Sequence, residues 1–161
     1  MRLTLFRCFA VAVLLIGAAR AAVALEPSSF ADPHTIVLAS PHDFASLQTR
    51  LETAVAANGF FVVSRASASA GAAGRGVVIP GNLVVGVFRN DYAVRMLDAS
   101  LASGIEAPLR FYITENNDGT ATLSYRLPTR IFAPYGVPAL TEMSGELDPV
   151  WARIAAAAVA P

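Results

Sequence analysis

Residues 108–128 read PLRFYITENNDGTATLSYRLP, and this stretch decides the fold because it predicts a β-hairpin. Two runs with strand-like alternation flank the residues NDG at 117–119. Glycine adopts the left-handed conformation without steric cost, so Gly119 suits the last position of a three-residue turn. That turn pairs Asn116 with Thr120 and thereby sets the register of both strands.

The predicted register gives the hairpin two different faces. One face is apolar or aromatic and consists of Leu109, Phe111 and Ile113 opposite Leu127, Tyr125 and Leu123. The other face is polar and consists of Arg110, Tyr112 and Thr114 opposite Arg126, Ser124 and Thr122. A two-residue turn would mix both kinds of side chain on each face, which is incompatible with one buried face. We therefore expect the apolar face to line the core.

Three earlier segments predict further strands, at 35–39, 60–64 and 82–88. Each is short and rich in β-branched or aromatic residues, which favour strands. The apolar residues of 60–64 do not alternate with polar ones. This pattern is typical of a central strand that is buried on both faces, so we expect 60–64 inside the sheet.

Helix-period segments lie between these strands. The first is predicted to begin with Ser40 as the N-cap, a proline at the first helical position and Asp43 returning the capping bond. It ends at the Asn-Gly pair 58–59, which suits a left-handed C-cap. The Ala-rich residues 66–76 fit either a short helix capped by Ser67 or a loop.

Two later helices are predicted as well. One has Asn90 or Asp91 as its predicted N-cap and ends near Gly104. Residues 129–140 carry two prolines and predict irregular structure, after which the last helix begins at Asp148. The apolar residues expected to pack on these two helices are Val94, Leu97, Leu101, Ile105, Val150, Trp151 and Ile154.

Together these segments predict the element order β-α-β-(α)-β-α-β-β-α. Helical spacing and strand alternation also select the residues that face the interior. The core is expected to contain Phe44, Leu47, Leu51, Val55, Val62, Val85, Val87, Leu97, Leu101, Phe111, Ile113, Leu123, Tyr125, Trp151 and Ile154.

The composition indicates one domain without a nucleic-acid-binding surface. The chain has 161 residues, which suffices for a single domain. Its 12 basic residues are all arginines and balance 12 acidic residues. The basic residues form no block of the kind that follows a nucleic-acid backbone, so we expect no nucleic-acid partner.

The N-terminus predicts a signal peptide over residues 1–24 and a single mature domain over 25–161. Two arginines precede an apolar segment at 8–19, which is too short to span a bilayer because a spanning helix needs about 20 residues. Ala-x-Ala cleavage sites end at Ala24 and Ala21. We expect a periplasmic or secreted protein that keeps no integral membrane segment after cleavage.

The residue types present exclude several chemistries. The lone cysteine, Cys8, lies in the predicted signal peptide, so the mature chain offers no thiolate, disulfide or cysteine-ligated metal. The chain has no lysine for a Schiff base and no G-x-S-x-G motif for a serine nucleophile. His34 and His42 fit two solvated histidines better than a metal pair. Glycines at 71–76 lack the spacing of a phosphate-binding loop. We expect no cofactor, no metal and no identifiable catalytic residue.

Several short pieces together resemble the domain-of-unknown-function family 302. They are Phe44-x-x-Leu47…Leu51 with Asn58-Gly59-Phe60, then Phe88-Arg89-Asn90, Ala107-Pro108-Leu109, and Asp118-Gly119 with Ser124-Tyr125 and Pro128. The resemblance covers roughly residues 40–159. It implies an α+β fold, a two-layer α/β sandwich with a curved, largely antiparallel sheet, which is often a homodimer, and it implies no activity. Many members have Gly-Asn-Pro where this chain has Arg89-Asn90-Asp91.

The polar hairpin face carries two arginines that the predicted register brings together. Arg110 and Arg126 lie opposite each other, and like charges in this position are unfavourable unless something negative or well hydrated separates them. One interpretation is a solvated pair. A second is neutralisation by an acidic residue, with Glu115 and Glu142 as candidates, or by a dimer partner.

A third interpretation is an anion site. Arg110 and Arg126 would bind a carboxylate, sulfate or phosphate, with help from Arg89 and from the hydroxyl groups of Tyr112 and Ser124. This site favours a non-catalytic binding or accessory module for a small anion or a protein partner. The alternatives are an enzyme that uses arginine and carboxylate groups in a pocket on the sheet, and a homodimer surface.

Overall fold

The computed structural model describes residue 30 and residues 32–161, so the predicted signal peptide lies outside the described residues. This part of the chain forms one open antiparallel sheet. Its strands are β1 (Thr35–Ser40), β2 (Phe61–Ala66), β3 (Asn82–Phe88), β4 (Leu109–Glu115) and β5 (Ala121–Arg126). Their order across the sheet is β1-β5-β4-β3-β2.

Helices connect the strands and cover one face of the sheet. They are α1 (Phe44–Ala57), α2 (Ala68–Ala73), α3 (Asn90–Ala99), α4 (Pro128–Phe132) and α5 (Pro138–Val159), with 3₁₀ turns at Leu101–Glu106 and Ala133–Tyr135. The predicted α+β sandwich and its element order are confirmed, with α4 as an addition. Among the described residues, no helix is both long and apolar enough to cross a bilayer.

The hairpin of β4 and β5 has the predicted turn and register. Gly119 has a φ of 83°, and the backbone N–H of Asn116 donates to the carbonyl of Thr120 at 2.8 Å. Phe111 lies opposite Tyr125, as predicted, and both are buried. The turn therefore directs every aromatic and aliphatic residue of the hairpin's apolar face towards the helices.

Trp151 of α5 lies at the centre of the core. Its indole stacks on Phe111, with ring centroids 5.7 Å apart and ring planes 11° apart. Phe60 meets the indole edge-on at 5.2 Å, and all three side chains are at most 3% exposed. Aromatic side chains bury about 150–250 Å² each, so this cluster makes a large contribution to the hydrophobic stabilisation.

Most of the predicted core is confirmed. The residues that are buried as expected are Leu47, Leu51, Val55, Val85, Val87, Phe111, Ile113, Leu123, Tyr125, Trp151 and Ile154. Phe44 and Val62 are partly buried and pack against them. Leu97 and Leu101 are exposed, so their assignment to the core is wrong.

The end of α5 is held by two side chains from the first half of the chain. The guanidinium of Arg50 donates to the carbonyls of Ala158 at 2.9 Å and Ala160 at 2.6 Å. Nε2 of His42 lies 2.7 Å from the same Ala160 carbonyl. The last carbonyls of a helix have no partner within the helix and carry partial negative charge. A cation therefore stabilises this end and fixes α5 against α1.

The prediction that 60–64 forms a central strand is wrong. β2 lies at one edge of the sheet and pairs only with β3 in the described structure. Phe61 is 66% exposed and Val63 is 53% exposed. The register shifts between Val62 and Ser64, so a bulge interrupts the alternation of β2 side chains between the two faces of the sheet.

The cap of α1 also differs from the prediction. Asp43, not Ser40, is the N-cap, and its carboxylate accepts a hydrogen bond from the backbone N–H of Ser46 at 2.8 Å. Ser40 belongs to β1, where its hydroxyl accepts from the N–H of His42. The sheet extends one residue further than predicted, which moves the start of the helix. The alternative of a short helix capped by Ser67 is confirmed in α2.

The core position of α3 is taken by Met96, which is 4% exposed, and not by the predicted apolar stripe. The stripe residues are exposed, with Val94 at 49%, Leu97 at 43%, Leu101 at 82% and Ile105 at 83%. The extended backbone of Ser100 ends the helix at Ala99, so helical spacing does not continue as far as Gly104. The N-cap is Arg89 and not Asn90 or Asp91, because the backbone is already helical from Asn90 onward.

The last helix begins ten residues earlier than predicted. Pro149 lies inside α5, and Asp148 does not cap a helix. Its carboxylate instead accepts hydrogen bonds from the backbone N–H of Thr129 at 3.0 Å and from the Thr129 hydroxyl at 2.7 Å. Pro149 leaves the carbonyl of Gly145 without a helical donor. Both residues are exposed, so water can hydrate that carbonyl.

Residues 129–140 are therefore not irregular. They contain most of α4, a 3₁₀ turn and the start of α5. Pro134 and Pro138 each occupy the first turn of a helix, where the missing N–H has no helical acceptor and costs nothing. The two prolines begin helices here.

We expect Phe111→Ala to lower the free energy of unfolding by about 3–5 kcal/mol, because a fully buried ring is removed from the centre of the core. Leu101→Ala should change it by less than about 0.5 kcal/mol, because this side chain is exposed. Denaturant titration of both variants measures the two changes. Similar losses for both variants would contradict the observed packing around α3.

Candidate functional site

Four of the five residues predicted for an anion site lie on one surface. Arg110 and Tyr112 belong to β4, and Ser124 and Arg126 belong to β5. Tyr112 lies directly opposite Ser124, and the same register brings Arg110 opposite Arg126. All four residues are on the sheet face opposite Phe111 and the helices. We call this surface the open face.

A groove of about 270 Å³ crosses the open face at these residues. Phe30, Thr35 and Val84 also line it, as do Phe111 and Tyr125, whose rings belong to the core. β3 places Gly86 beside Arg110, outside the lining of the groove. A Cβ at Gly86 would lie 2.8 Å from Cγ of Pro108, so this strand position has no room for a side chain.

Both arginines of the groove are exposed, and no counterion from the described residues holds them. The ion pairs within that part of the chain involve Arg65, Arg89 and Arg95 only. Glu115 accepts a hydrogen bond from the backbone N–H of Gly81 at 2.7 Å, so its carboxylate is already engaged. Neither Glu115 nor Glu142 forms an ion pair with either groove arginine within the described structure.

Ser124 forms the floor of the groove. The residue is only 2% exposed, and its Oγ has no hydrogen-bond partner among the described residues. A buried hydroxyl without a partner is unfavourable, because it has lost water without gaining another polar contact. Ser124 therefore leaves a buried, unsatisfied hydroxyl at this position of β5.

Arg89 is not part of this groove. Its guanidinium makes two hydrogen bonds to the carboxylate of Asp91, at 2.7 and 2.9 Å. It also lies 4.7 Å from the ring centroid of Phe60 and 4.4 Å from that of Tyr92. The hydrogen bond to Asp91 raises the pKa of Arg89, and the same bond lowers the pKa of Asp91. Arg89 thus has its partners on the helix-covered side of the sheet.

A second, smaller cavity of about 40 Å³ lies beside Arg89, between the sheet and α3, α4 and α5. Its lining is almost entirely apolar and includes Met96, Phe132 and Trp151. The volume suffices for a few water molecules or one small apolar group. Because Arg89 is fully engaged with Asp91 and two rings, this cavity presents no free charge to a ligand.

Sequence alternation could have placed one more residue at the groove. Val84 alternates with the buried residues of β3, so its position on the open face follows from the period of a strand. Thr35 could not be placed without knowing that β1 pairs with β5. Phe30 lies in the polar segment before β1, and nothing in its local sequence indicates that it lines a groove.

No metal site is found in the part of the chain that the structure describes. There, no three residues among histidine, cysteine, aspartate and glutamate are grouped closely enough to hold an ion. Nε2 of His42 contacts the Ala160 carbonyl. His34 donates its backbone N–H to Asp32 Oδ1 at 2.9 Å.

Comparison with known proteins identifies the family. A family model described as "Domain of unknown function DUF302" matches residues 36–158. The chain belongs to this family. Among solved structures it is similar to an uncharacterized conserved protein DUF302 from Bacillus stearothermophilus, with a TM-score of 0.68 and 20% sequence identity. The match covers 75% of this chain and 94% of that chain. At this identity the likeness shows the fold alone. No curated protein matches the chain.

Two threonines next to the groove of this DUF302 domain differ in one respect only. Thr114 and Thr122 lie opposite each other on the open face and are 7% and 5% exposed. Thr122 donates its hydroxyl to Oδ1 of Asn116 at 3.0 Å. The Thr114 hydroxyl has no partner among the described residues. The pair isolates the energetic effect of a buried, unpartnered hydroxyl.

We expect Thr114→Val to raise the free energy of unfolding by about 1 kcal/mol, because it removes an unpartnered polar group. Thr122→Val should lower it by about 1 kcal/mol, because it breaks a hydrogen bond and leaves Asn116 Oδ1 without that donor. Denaturant titration shows whether the free energy of unfolding rises or falls in each variant. A loss of stability in Thr114→Val would mean that its hydroxyl has a partner, such as bound water.

Proposed function

We propose that this DUF302 domain is a non-catalytic binding module whose open-face groove binds a small anion. The observation that carries the proposal is that Arg110 and Arg126 lie opposite each other in the groove, without a counterion from the described residues, and that the unpartnered hydroxyl of Ser124 belongs to the next residue on the same face of β5. An anion would separate two like charges and supply an acceptor for the buried hydroxyl. Charge-assisted bonds of this kind contribute about 1.5–3 kcal/mol each.

The chemistry of the groove supports binding more than catalysis. Its lining consists of arginines, hydroxyl groups and apolar side chains. Arginine stays protonated at neutral pH and cannot act as a general base there. These groups hold an anion in place but offer no base for proton transfer.

The anion can belong to a free small molecule or to a side chain of a partner protein, including a second copy of this chain. A carboxylate on a partner would use the same two arginines. In both cases the binding energy comes from Arg110, Arg126 and Ser124, so one set of variants tests the site.

Sulfate, phosphate or acetate should raise the thermal midpoint of the wild-type protein and leave that of Arg110→Ala/Arg126→Ala unchanged. At ten times its dissociation constant a ligand stabilises the native state by about 1.4 kcal/mol, or about 3–6 °C for a domain of this size. The charge-matched control is Arg75→Ala/Arg153→Ala, which removes two exposed arginines elsewhere and should respond like wild type.

Equal shifts in wild type and Arg110→Ala/Arg126→Ala would place anion binding outside the groove. If no anion shifts the wild-type midpoint, the small-anion proposal fails. Light scattering in the same samples then decides whether the two arginines serve a dimer instead, because their removal would convert a dimer into a monomer.

We further propose that the protein is exported and that its mature form begins near Leu25. The support is the apolar segment at 8–19 and the two Ala-x-Ala sites that follow it. Intact mass spectrometry of the protein recovered from the periplasm or medium should show the loss of residues 1–24. A mass that retains those residues would contradict export by signal cleavage.

A further inference from the structure

We infer that the anion bound in this groove is the carboxylate of a small arylcarboxylate, a molecule with one flat apolar ring. The inference rests on the proposed anion site and names its ligand class. The carboxylate lies on Arg110 and Arg126, and the ring lies against Phe30 and Tyr112.

The size of the groove sets the size of the ligand. Its volume is about 270 Å³, whereas a cavity of about 150 Å³ accommodates benzene and drug-sized ligands take about 300 Å³ or more. One ring with a short polar substituent fits between these limits. A bare sulfate or phosphate would leave most of the groove to water.

The lining also favours a ligand with an apolar body. Most of the groove surface is carbon, contributed by Phe30, Val84 and Tyr112 among others. A tetrahedral oxyanion gains nothing from such surface, because its free oxygens must remain hydrated. A flat ring covers this surface, and aromatic side chains attract it further through offset or edge-to-face contacts.

The spacing along β4 matches a ring that carries one carboxylate. Arg110 and Tyr112 are two residues apart on the same face of a strand, which corresponds to about 7 Å. A single benzene ring with its carboxylate spans such a distance. Charge recognition at one end and ring contact at the other can therefore occur in the same molecule.

The test is titration calorimetry of the purified protein with benzoate, cyclohexanecarboxylate, acetate and sulfate. We expect benzoate to bind at least about tenfold more tightly than each of the other three. Phe30→Ala and Tyr112→Leu should each lower this preference, because each should weaken the binding of benzoate more than that of acetate or sulfate. Arg110→Ala/Arg126→Ala should abolish binding of all four, and Arg75→Ala/Arg153→Ala should behave like wild type.

The outcomes separate this inference from the anion site on which it rests. If acetate and sulfate bind through Arg110 and Arg126 but benzoate binds no more tightly, the arylcarboxylate is overturned and the anion site stands. Equal affinities for benzoate and cyclohexanecarboxylate would also contradict the inference that the ligand has a flat ring. Binding of benzoate to the Arg110→Ala/Arg126→Ala variant, or no binding to wild type, would overturn both. If Phe30→Ala and Tyr112→Leu both still prefer benzoate to the other anions, the ring does not lie against these two side chains.

Discussion

The register of the β4–β5 hairpin is the constraint on which both faces of this domain depend. The left-handed Gly119 fixes it through a three-residue turn. A slip by one residue on one strand would turn that strand's side chains to the other face. Arg126, for example, would then face the aromatic core in place of Tyr125. Core packing and the basic groove are thus two consequences of one turn.

The helix layer makes the two faces unequal. Trp151 stacks on Phe111, and Arg50 holds the end of α5 through its last carbonyls. These contacts close one side of the sheet. The open face keeps its polar side chains, including two arginines without a counterion in the described chain and a buried hydroxyl at Ser124. Such groups reduce the stability of the free protein, and the proposed anion would offset that reduction.

The sequence by itself determined the features that one turn and the period of a strand set. A glycine at 119 can take a positive φ, and the strand period then assigns every side chain of the hairpin to a face. The same reasoning brought Arg110 and Arg126 together. The strand at 82–88 and the Asn-Gly end of α1 were also predicted correctly, since turn chemistry and β-branched runs act over a few residues. Chain order and fold class follow from these signals.

Only the tertiary structure decided the exposure of the apolar residues in β2 and along α3 and the turn that follows it. Strand 60–64 reads as central but lies at an edge, and Leu101 reads as core but is exposed, because burial depends on what packs against a segment. Likewise, Arg89 is bound by Asp91 and by the rings of Phe60 and Tyr92. Phe30 lines the groove although the segment before β1 has no strand or helix pattern. A local pattern shows that a side chain is apolar or charged. Its partners come from residues distant in the sequence, and only the folded chain brings them together.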